Sequence, residues 1–382
     1  MMKKVFALML TAAMAVSLVA CGAKQEAPAE EPAKEEAVEE AVEELEEEVG
    51  EAIEEAVEEA VVETTSDSSD LATEIAAAIP EGDYSQFTVG FCGMTLNNEY
   101  HIIVANAVKK SCEAIGMGVE VQAGAEHASV EEQLVIIENY IAEGVDGIIL
   151  VPASSQGLIS ALMDCEAAGI PVINLDTQLD EATRGALESE IPFYGTDNYV
   201  GGSMVGELFA EKYPDGAKVA ILRGVSGQTN DDDRYNGFLS TAGDGVEIVA
   251  EQHCDWETDK AYTCITNVLN ANPDLEVIYC ENDLMGIGSY QAVEEAGKTD
   301  QISIYSYDGI SEGIQYVVDG KFVATCAQQP IVMGKLGVIN MCKVLMGEKA
   351  ESYIDTGCKI IDANNCVESL EEVKKYTEAI NQ

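Results

Sequence analysis

Short apolar runs alternate with longer amphipathic segments along the chain from Phe87 onward. An unbroken apolar run of about four to eight residues predicts a buried strand, whereas apolar residues at every third or fourth position predict a helix. The predicted strands of the first half are residues 87–93, 119–123, 147–151 and 171–175. The helices between them are predicted to begin at Asn98, at Ser129 in a capping box with Glu132, and at Ser154. Because the strands are apolar on both faces, they predict a parallel sheet covered on both sides.

The same alternation restarts after a loop. Its strands are predicted at residues 218–222, 246–251, 277–280, 302–305 and 322–328. Its helices are predicted near residues 200–213, 231–242, 258–271, 284–296 and 331–347. Two doubly wound parallel sheets predict two α/β lobes, and ligands of such sheets bind beyond the carboxyl ends of the strands. Functional residues are therefore expected at strand ends that face a cleft between the lobes.

The first residues have the pattern of an export signal. Lys3 and Lys4 give a positive start, and residues 5–19 form an uncharged apolar run. That run is shorter than the about 20 apolar residues of a stable membrane span. Small and apolar residues lead into Cys21, as in a bacterial lipobox. We expect a lipoprotein signal peptide over residues 1–20 and lipidation at Cys21; an ordinary signal peptide followed by a chance cysteine is the alternative.

The segment after Cys21 is strongly acidic. Residues 25–70 hold 20 acidic residues against one basic residue, Lys34, and no aromatic residue. This composition buries too little apolar surface to fold alone and predicts an acidic tether over residues 21–85. A stripe of apolar residues three or four apart runs through it: Val38, Val42, Leu45, Val49, Ile53 and Val57. The stripe favours a partly helical spacer, with a specific coiled coil as the alternative.

Charge and cysteine usage narrow the function classes. The formal net charge is −50, of which residues 25–70 contribute −19, so the folded part is also acidic. An acidic surface excludes nucleic acid and lipid binding through basic patches. The ten cysteines after Cys21 show no metal-ligand spacing, and most lie in apolar runs, where cysteine acts as a small buried hydrophobe. A disulfide between Cys358 and Cys366 stays open.

Residues suited to hydroxyl recognition follow the predicted strands in order. They are Asn98, Tyr100, His101, Asp176, Arg234, Trp256, Asn282, Asp308 and Gln328. Carboxylates accept hydrogen bonds, arginine donates them in a planar fork, and amides do both. Taken alone, some of these residues have a simpler interpretation: Asp176 and Asp308 could cap helices, and Trp256 could be a core residue. His127 and His253 are predicted to be solvent-exposed loop residues.

These motifs, in this order, resemble those of the type I periplasmic sugar-binding proteins of the ribose-binding kind, from about Phe87 to about Asn365. The resemblance implies an α/β fold of two doubly wound parallel-sheet lobes joined by a three-strand hinge. It implies crossovers near residues 196, 328 and 357. The implied N-terminal lobe is residues 86–196 plus 329–357, and the implied C-terminal lobe is residues 197–328 plus 358–382.

The resemblance also implies function. One monosaccharide or polyol would be captured by hinge closure and delivered to the permease of an ABC transporter, with no cofactor and no metal. Hydroxyl contacts would come from Asn98, Asp176, Arg234, Asn282, Asp308 and Gln328, with Trp256 stacking on one face of the sugar and Tyr100 or His101 on the other. The implied protein is an extracytoplasmic monomer, held at the membrane by Cys21, and periplasmic where an outer membrane is present.

The chain departs from the ribose-binding pattern at three places. The pattern has an aromatic pair where this chain has Tyr100 and His101, and an arginine after the aspartate where this chain has Thr177. Met94 stands where the pattern has a small polar residue. One charged donor is lost and space is gained, so we expect a ligand other than ribose.

Catalytic motifs do not stand out in the sequence. Residues 224–227 lack the spacing of a nucleophile elbow, and the chain has no phosphate loop or dinucleotide-binding turn. Asp176 and Asp308 as a glycosidase pair is the enzymatic alternative, and we expect no enzyme. A sugar-responsive repressor would need a basic DNA-reading domain where this chain has an acidic segment. A ligand-sensing partner of a membrane receptor or histidine kinase stays open as the alternative function.

Overall fold

The computed structural model describes residues 68–381, with side chains over residues 71–377. The predicted signal peptide, the lipidation site at Cys21 and the tether up to residue 67 lie outside the described residues. Within the described part of the chain, no helix is both long and apolar enough to cross a bilayer. The ten cysteines after Cys21 are free thiols, including Cys358 and Cys366.

The first sheet has six parallel strands. They are β1 (Thr88–Thr95), β2 (Gly118–Gly124), β3 (Gly147–Leu150), β4 (Val172–Leu175), β5 (Phe193–Gly195) and β11 (Tyr353–Asp355). Their order is β11-β5-β4-β3-β1-β2. The helices of this lobe are α1 (Ser68–Ala78), α2 (Glu99–Ala114), α3 (Val130–Glu143), α4 (Ile159–Ala168), α5 (Glu181–Gly185) and α11 (Pro330–Leu345).

The second sheet also has six strands. They are β6 (Ala217–Arg223), β7 (Val246–His253), β8 (Val277–Cys280), β9 (Ser303–Asp308), β10 (Ala324–Ala327) and β12 (Lys359–Asp362). Their order is β12-β10-β9-β8-β6-β7, and β12 alone runs antiparallel, against β10. The helices here are α6 (Asn198–Lys212), α7 (Thr229–Thr241), α8 (Thr258–Ala271), α9 (Asp283–Glu295), α10 (Ser311–Val318) and α12 (Cys366–Asn381).

The chain passes between the two sheets three times: after β5, after β10 and between β11 and β12. The predicted fold class, two doubly wound lobes with a three-strand hinge, is confirmed. The exact lobe boundaries stay a prediction, because sheet membership assigns strands rather than every connecting residue.

Both faces of each sheet are buried. On β1, Phe91 enters one apolar cluster and its neighbour Cys92 enters the other. On β8, Ile278 enters one apolar cluster and Tyr279 enters the cluster on the other face. Successive side chains of a strand point to opposite faces, so the apolar runs in the sequence follow from helices covering both sides.

The described end of the predicted tether is folded. Ile75 in α1 is fully buried, and Ile79, the residue after that helix, packs against the core of the first lobe. Glu74 pairs with Lys335 of α11 at 2.7 Å, and Tyr84 is buried. The part of the tether segment from residue 68 to residue 85 therefore belongs to the first lobe, because its apolar residues pack against the core of that lobe.

The predicted capping box at Ser129 does not form. The Ser129 side chain makes no capping bond to α3; its hydroxyl accepts from the backbone N–H of Glu126 at 3.0 Å. The Glu132 carboxylate accepts from the backbone N–H of Ala125 at 2.6 Å. Both side chains instead accept hydrogen bonds from backbone N–H groups of the loop before the helix.

Glycines set the contact between α6 and α7, the helix that carries Arg234. A Cβ added at Gly202 would overlap the Arg234 carbonyl oxygen, and one at Gly237 would overlap the Tyr199 carbonyl oxygen. Backbone atoms cannot yield as a flexible side chain can, so the two helices approach this closely only with glycine at the contact.

Replacing Gly202 by alanine should lower the free energy of unfolding by about 2 kcal/mol, because the new methyl group must push α7 away from α6. Gly185→Ala is the matched control, since a Cβ at Gly185 meets open space. Chemical denaturation of the two variants beside wild type measures this. Equal stability of Gly202→Ala and Gly185→Ala would contradict the packing argument.

Candidate functional site

The nine residues proposed from the sequence all lie where the carboxyl ends of the two sheets face each other. Each is at most 7% exposed. Four belong to the first lobe (Asn98, Tyr100, His101, Asp176), four to the second (Arg234, Trp256, Asn282, Asp308), and Gln328 lies on the second crossover. Buried polar side chains need hydrogen-bond partners, and their contacts define the site.

In the first lobe, Asn98 caps α2 by accepting from the backbone N–H of Tyr100 at 2.9 Å. This places Tyr100 over the end of β4, where its hydroxyl lies 2.8 Å from Oδ1 of Asp176. The Thr177 hydroxyl donates to the other carboxylate oxygen at 3.1 Å. Burial raises the pKa of Asp176, against hydrogen bonds that lower it. Asp176 has φ 65°, a left-handed conformation that turns the chain sharply after the strand.

In the second lobe, Arg234 of α7 is the central donor. Its Nε donates to Asn198 Oδ1 at 2.8 Å, and its Nη1 donates to the Glu281 carbonyl at 2.5 Å and lies 3.3 Å from Asp308 Oδ1. The guanidinium lies 3.9 Å from the ring centroid of Tyr307. Burial raises the pKa of Asp308 to about 6, although Arg234 acts in the opposite direction.

Gln328 joins the two groups at the hinge. Its Nε2 donates to Asp308 Oδ1 at 2.8 Å, and its Oε1 lies 3.2 Å from the Tyr100 hydroxyl. One continuous chain of polar contacts therefore runs from the first lobe to the second, through Asp176, Tyr100, Gln328, Asp308 and Arg234.

Trp256 is held beside this chain by its own partners. Its Nε1 donates to Gln228 Oε1 at 2.7 Å, and its ring lies 5.2 Å from the Arg234 guanidinium carbon. Asn282 caps α9 through Met285 and donates to the Trp256 carbonyl at 3.3 Å. The predicted Trp256 and Asn282 are thus neighbours, although their direct partners are each other and Gln228 rather than the carboxylates.

The three histidines of the chain lie in different environments. His101 packs edge-on against Tyr100 with ring centroids 5.3 Å apart, and burial holds its pKa well below its usual value. Its Nδ1 is buried with no hydrogen-bond partner in the described structure. The prediction that His127 is a solvent-exposed loop residue is wrong: it is 3% exposed, with Nδ1 2.9 Å from Glu257 Oε1. His253, predicted in the same way, is half-buried, with Nδ1 3.1 Å from the Gly224 carbonyl.

Sequence reasoning also missed Gln228. It is 1% exposed, accepts from Trp256, and donates to the Ala153 carbonyl of the first lobe at 2.9 Å. A glutamine just before a predicted helix carries no local sign of such a role, since its importance comes from the opposite lobe.

A cluster of buried charged residues lies next to the site in the second lobe. Arg223 pairs with Asp231 at 2.7 Å, and Glu281 accepts from the backbone N–H of Gly224 at 3.1 Å. Burial, with Asp231 adding to it, holds the pKa of Glu281 well above its usual value. This group fixes the Glu281 backbone, whose carbonyl receives Arg234. Among the described residues there is no cluster of side chains that could hold a metal ion.

The chain matches the periplasmic binding protein domain family over residues 89–349. It is 30% identical over 279 residues to the ribose import binding protein of Bacillus subtilis strain 168, covering 73% of this chain and 88% of the relative. It is 31% identical over 282 residues to the D-allose-binding periplasmic protein of Escherichia coli K12, covering 70% of this chain and 88% of the relative.

Solved structures agree. An ABC transporter periplasmic solute-binding protein from Actinobacillus succinogenes 130z with bound D-allose superposes with a TM-score of 0.70 and 32% identity, covering 74% of this chain and 99% of the other. The family match spans well over half of this chain. The chain therefore belongs to the type I periplasmic binding protein family, and it is a binding protein rather than an enzyme.

Proposed function

We propose that the protein captures a monosaccharide or related polyol by closing its two lobes and delivers it to an ABC importer. The observation that carries this proposal is the polar chain of Tyr100, Asp176, Gln328, Asp308 and Arg234, which joins both lobes and the hinge. A ligand that bonds to both ends of such a chain binds only the closed form tightly, and so shifts the protein toward closure.

The donor and acceptor types suit a sugar. Asp176 and Asp308 accept from hydroxyls, Arg234 donates, and Asn98 and Gln328 can do both. Trp256 adds an apolar surface for the C–H face of a sugar ring. Micromolar affinity corresponds to about −8 kcal/mol, within reach of a few charge-assisted hydrogen bonds of about 1.5–3 kcal/mol each after ordering costs.

Contacts between the lobes on both sides of the cleft support a closing motion. The Thr229 backbone N–H donates to the Ser155 hydroxyl at 3.0 Å, and the Thr229 hydroxyl donates to the Gln178 carbonyl at 2.9 Å. The Ser311 hydroxyl lies 2.7 Å from the Glu99 carboxylate. These hydrogen bonds join the rims of the two lobes, so opening of the cleft would break them.

The ligand is proposed to be a sugar or polyol other than ribose. Asp176 takes its local hydrogen bonds from the neutral hydroxyls of Tyr100 and Thr177, and the residue that follows it is Thr177 rather than an arginine. Relatives and structural neighbours carry the names of ribose, D-allose, fructose and D-fucose. The proposed protein acts as a monomer outside the cytoplasm, tethered to the membrane through lipidated Cys21.

The experiment that tests the proposal is a thermal-shift screen of the purified protein against ribose, allose, fructose, fucose, tagatose, arabinose, myo-inositol and glycerol, followed by calorimetry. We expect one sugar or polyol class to raise the melting temperature and to bind near micromolar Kd without being consumed. A cooperative melt that no member of this panel shifts would overturn the proposal of carbohydrate capture.

Asp308→Asn should weaken binding of the best ligand at least tenfold, because the amide keeps the shape but loses the charged acceptor beside Arg234. The matched control is Asp233→Asn on the same helix as Arg234, outside the polar chain. Calorimetry measures both Kd values. Equal affinity of Asp308→Asn and wild type would place the ligand elsewhere.

Ligand affinity should be constant above about pH 6 and fall below it by up to tenfold per pH unit. The pKa of Asp308 is raised to about 6, and a ligand hydroxyl that donates to the carboxylate must displace its proton at lower pH. The raised pKa of Asp176 acts in the same direction. Calorimetry from pH 5 to pH 8 tests this, and a flat profile in wild type would contradict the assignment.

Cys21→Ser should release the protein from membranes into the soluble fraction and abolish its labelling by a metabolic fatty-acid probe. The basis is the apolar run over residues 5–19 directly before Cys21. Fractionation of expressing cells measures it. Unchanged membrane association and labelling of the serine variant would rule out the proposed anchor.

A further inference from the structure

His127 contacts both lobes at once. It lies in the loop between β2 and α3 of the first lobe and is 3% exposed. Its Nδ1 is 2.9 Å from Oε1 of Glu257, the residue before α8 in the second lobe. Its Nε2 is 3.4 Å from Nδ2 of Asn98, which caps α2 in the first lobe.

The geometry fixes which ring nitrogen carries the proton. Asn98 Oδ1 accepts from the backbone N–H of Tyr100 at 2.9 Å, so the amide cannot turn over without breaking the cap. Its Nδ2, a donor, therefore faces His127 Nε2, and two donors cannot bond to each other. Nε2 is the acceptor, and the proton on Nδ1 is donated to Glu257.

The Glu257 carboxylate is available to accept the hydrogen bond from Nδ1–H. Its side chain makes no capping bond to α8, and the nearby Lys260 is paired with Asp255 at 2.7 Å. The hydrogen bond from His127 lowers the pKa of Glu257, so the carboxylate stays ionised as an acceptor. One amide hydrogen of Asn98 is held by His127, which leaves the other for a ligand hydroxyl.

We propose that Glu257 and His127 are positioning residues: with the lobes closed, Glu257 holds the His127 ring so that its Nε2 accepts from one amide hydrogen of Asn98 and leaves the other for the ligand. The idea rests on the proposed function of sugar capture. Glu257 and His127 belong to different lobes, so hinge opening separates them and leaves the His127 ring free to turn away from the Asn98 amide, which stays on its cap. Closure restores the chain Glu257–His127–Asn98 and fixes the donor that the amide offers to the ligand.

This arrangement has a kinetic signature. The Glu257–His127 bond forms after the ligand has entered and the lobes have met, so its loss raises the dissociation rate and leaves the association rate unchanged. A part-buried hydrogen bond to a charged group supports about a tenfold effect.

The first test compares Glu257→Ala with Glu257→Gln, using D-allose as the probe. The alanine variant should release bound sugar about tenfold faster. The glutamine variant should behave within about twofold of wild type, because its amide oxygen still accepts from Nδ1–H. Stopped-flow fluorescence of Trp256 follows release, and unfolding experiments establish that both variants are folded. Equal release rates for wild type and Glu257→Ala would overturn the proposal.

A double-substitution cycle separates positioning from general lobe contact. Asn98→Ser keeps a capping oxygen but removes the amide donor. Combined with Glu257→Ala it should have little additional effect on affinity, since both changes break one chain. Ser311→Ala is the matched control: it removes another bond between the lobes, to Glu99, and should add its effect to that of Asn98→Ser. Additive effects in both cycles would contradict the positioning role.

The imidazole itself provides a second readout. A long-range ¹H–¹⁵N spectrum of the sugar-bound, closed protein should show His127 protonated at Nδ1 and bare at Nε2, and Glu257→Ala should lose this preference. A wild type that binds no sugar would overturn the proposed function. A proton on Nε2 of His127 in the sugar-bound wild type would refute the positioning role and leave the proposed function standing.

Discussion

The burial of Arg234 is the constraint around which the second lobe is arranged. A guanidinium that is 3% exposed must find acceptors inside the protein, because an unpaired buried charge is strongly unfavourable. Its partners come from three elements: Asn198 at the start of α6, the Glu281 carbonyl after β8, and Asp308 at the end of β9. Satisfying Arg234 therefore brings the ends of these elements to one point, and the glycines between α6 and α7 permit the approach.

Three residues of the site occupy unusual backbone conformations. Asp176 has φ 65°, Asp308 has φ 103° and Trp256 has φ 64°, a region that non-glycine residues rarely adopt. Each stands at or just after the carboxyl end of a strand. Strain of this kind persists only where surrounding contacts hold it, and it is concentrated at functional sites. The cleft thus combines raised carboxylate pKa values, strained turns and a buried arginine within a stable two-lobe frame.

The sequence alone was sufficient for the fold class because both sheets are buried on both faces. Apolar runs such as residues 277–280 coincide with a strand from end to end. Short strands such as β5 and β11, of three residues each, carry no periodicity, and the sequence did not predict them. The helix expected from Ser154 begins at Ile159, because the Ser154 hydroxyl accepts from the Gly157 backbone N–H and closes a turn instead.

The site was predictable where its residues follow strands, and not where it depends on contact between lobes. Asp176, Arg234 and Asp308 could be found because they stand at strand ends or on the helix that follows one. His127 and Gln228 lie in loops with polar neighbours, and both are buried and bonded to the opposite lobe. Such non-local burial leaves no trace in local composition or spacing.

Trp256 is the only tryptophan of the chain, so its fluorescence reports directly on the cleft. The most direct measurement is its emission and its quenching by acrylamide during titration with the best-binding sugar, alongside calorimetry. If the sugar is held between the lobes against Trp256, emission should change with the calorimetric Kd and quenching should decrease. Calorimetric binding that leaves both emission and quenching unchanged would contradict capture in this cleft.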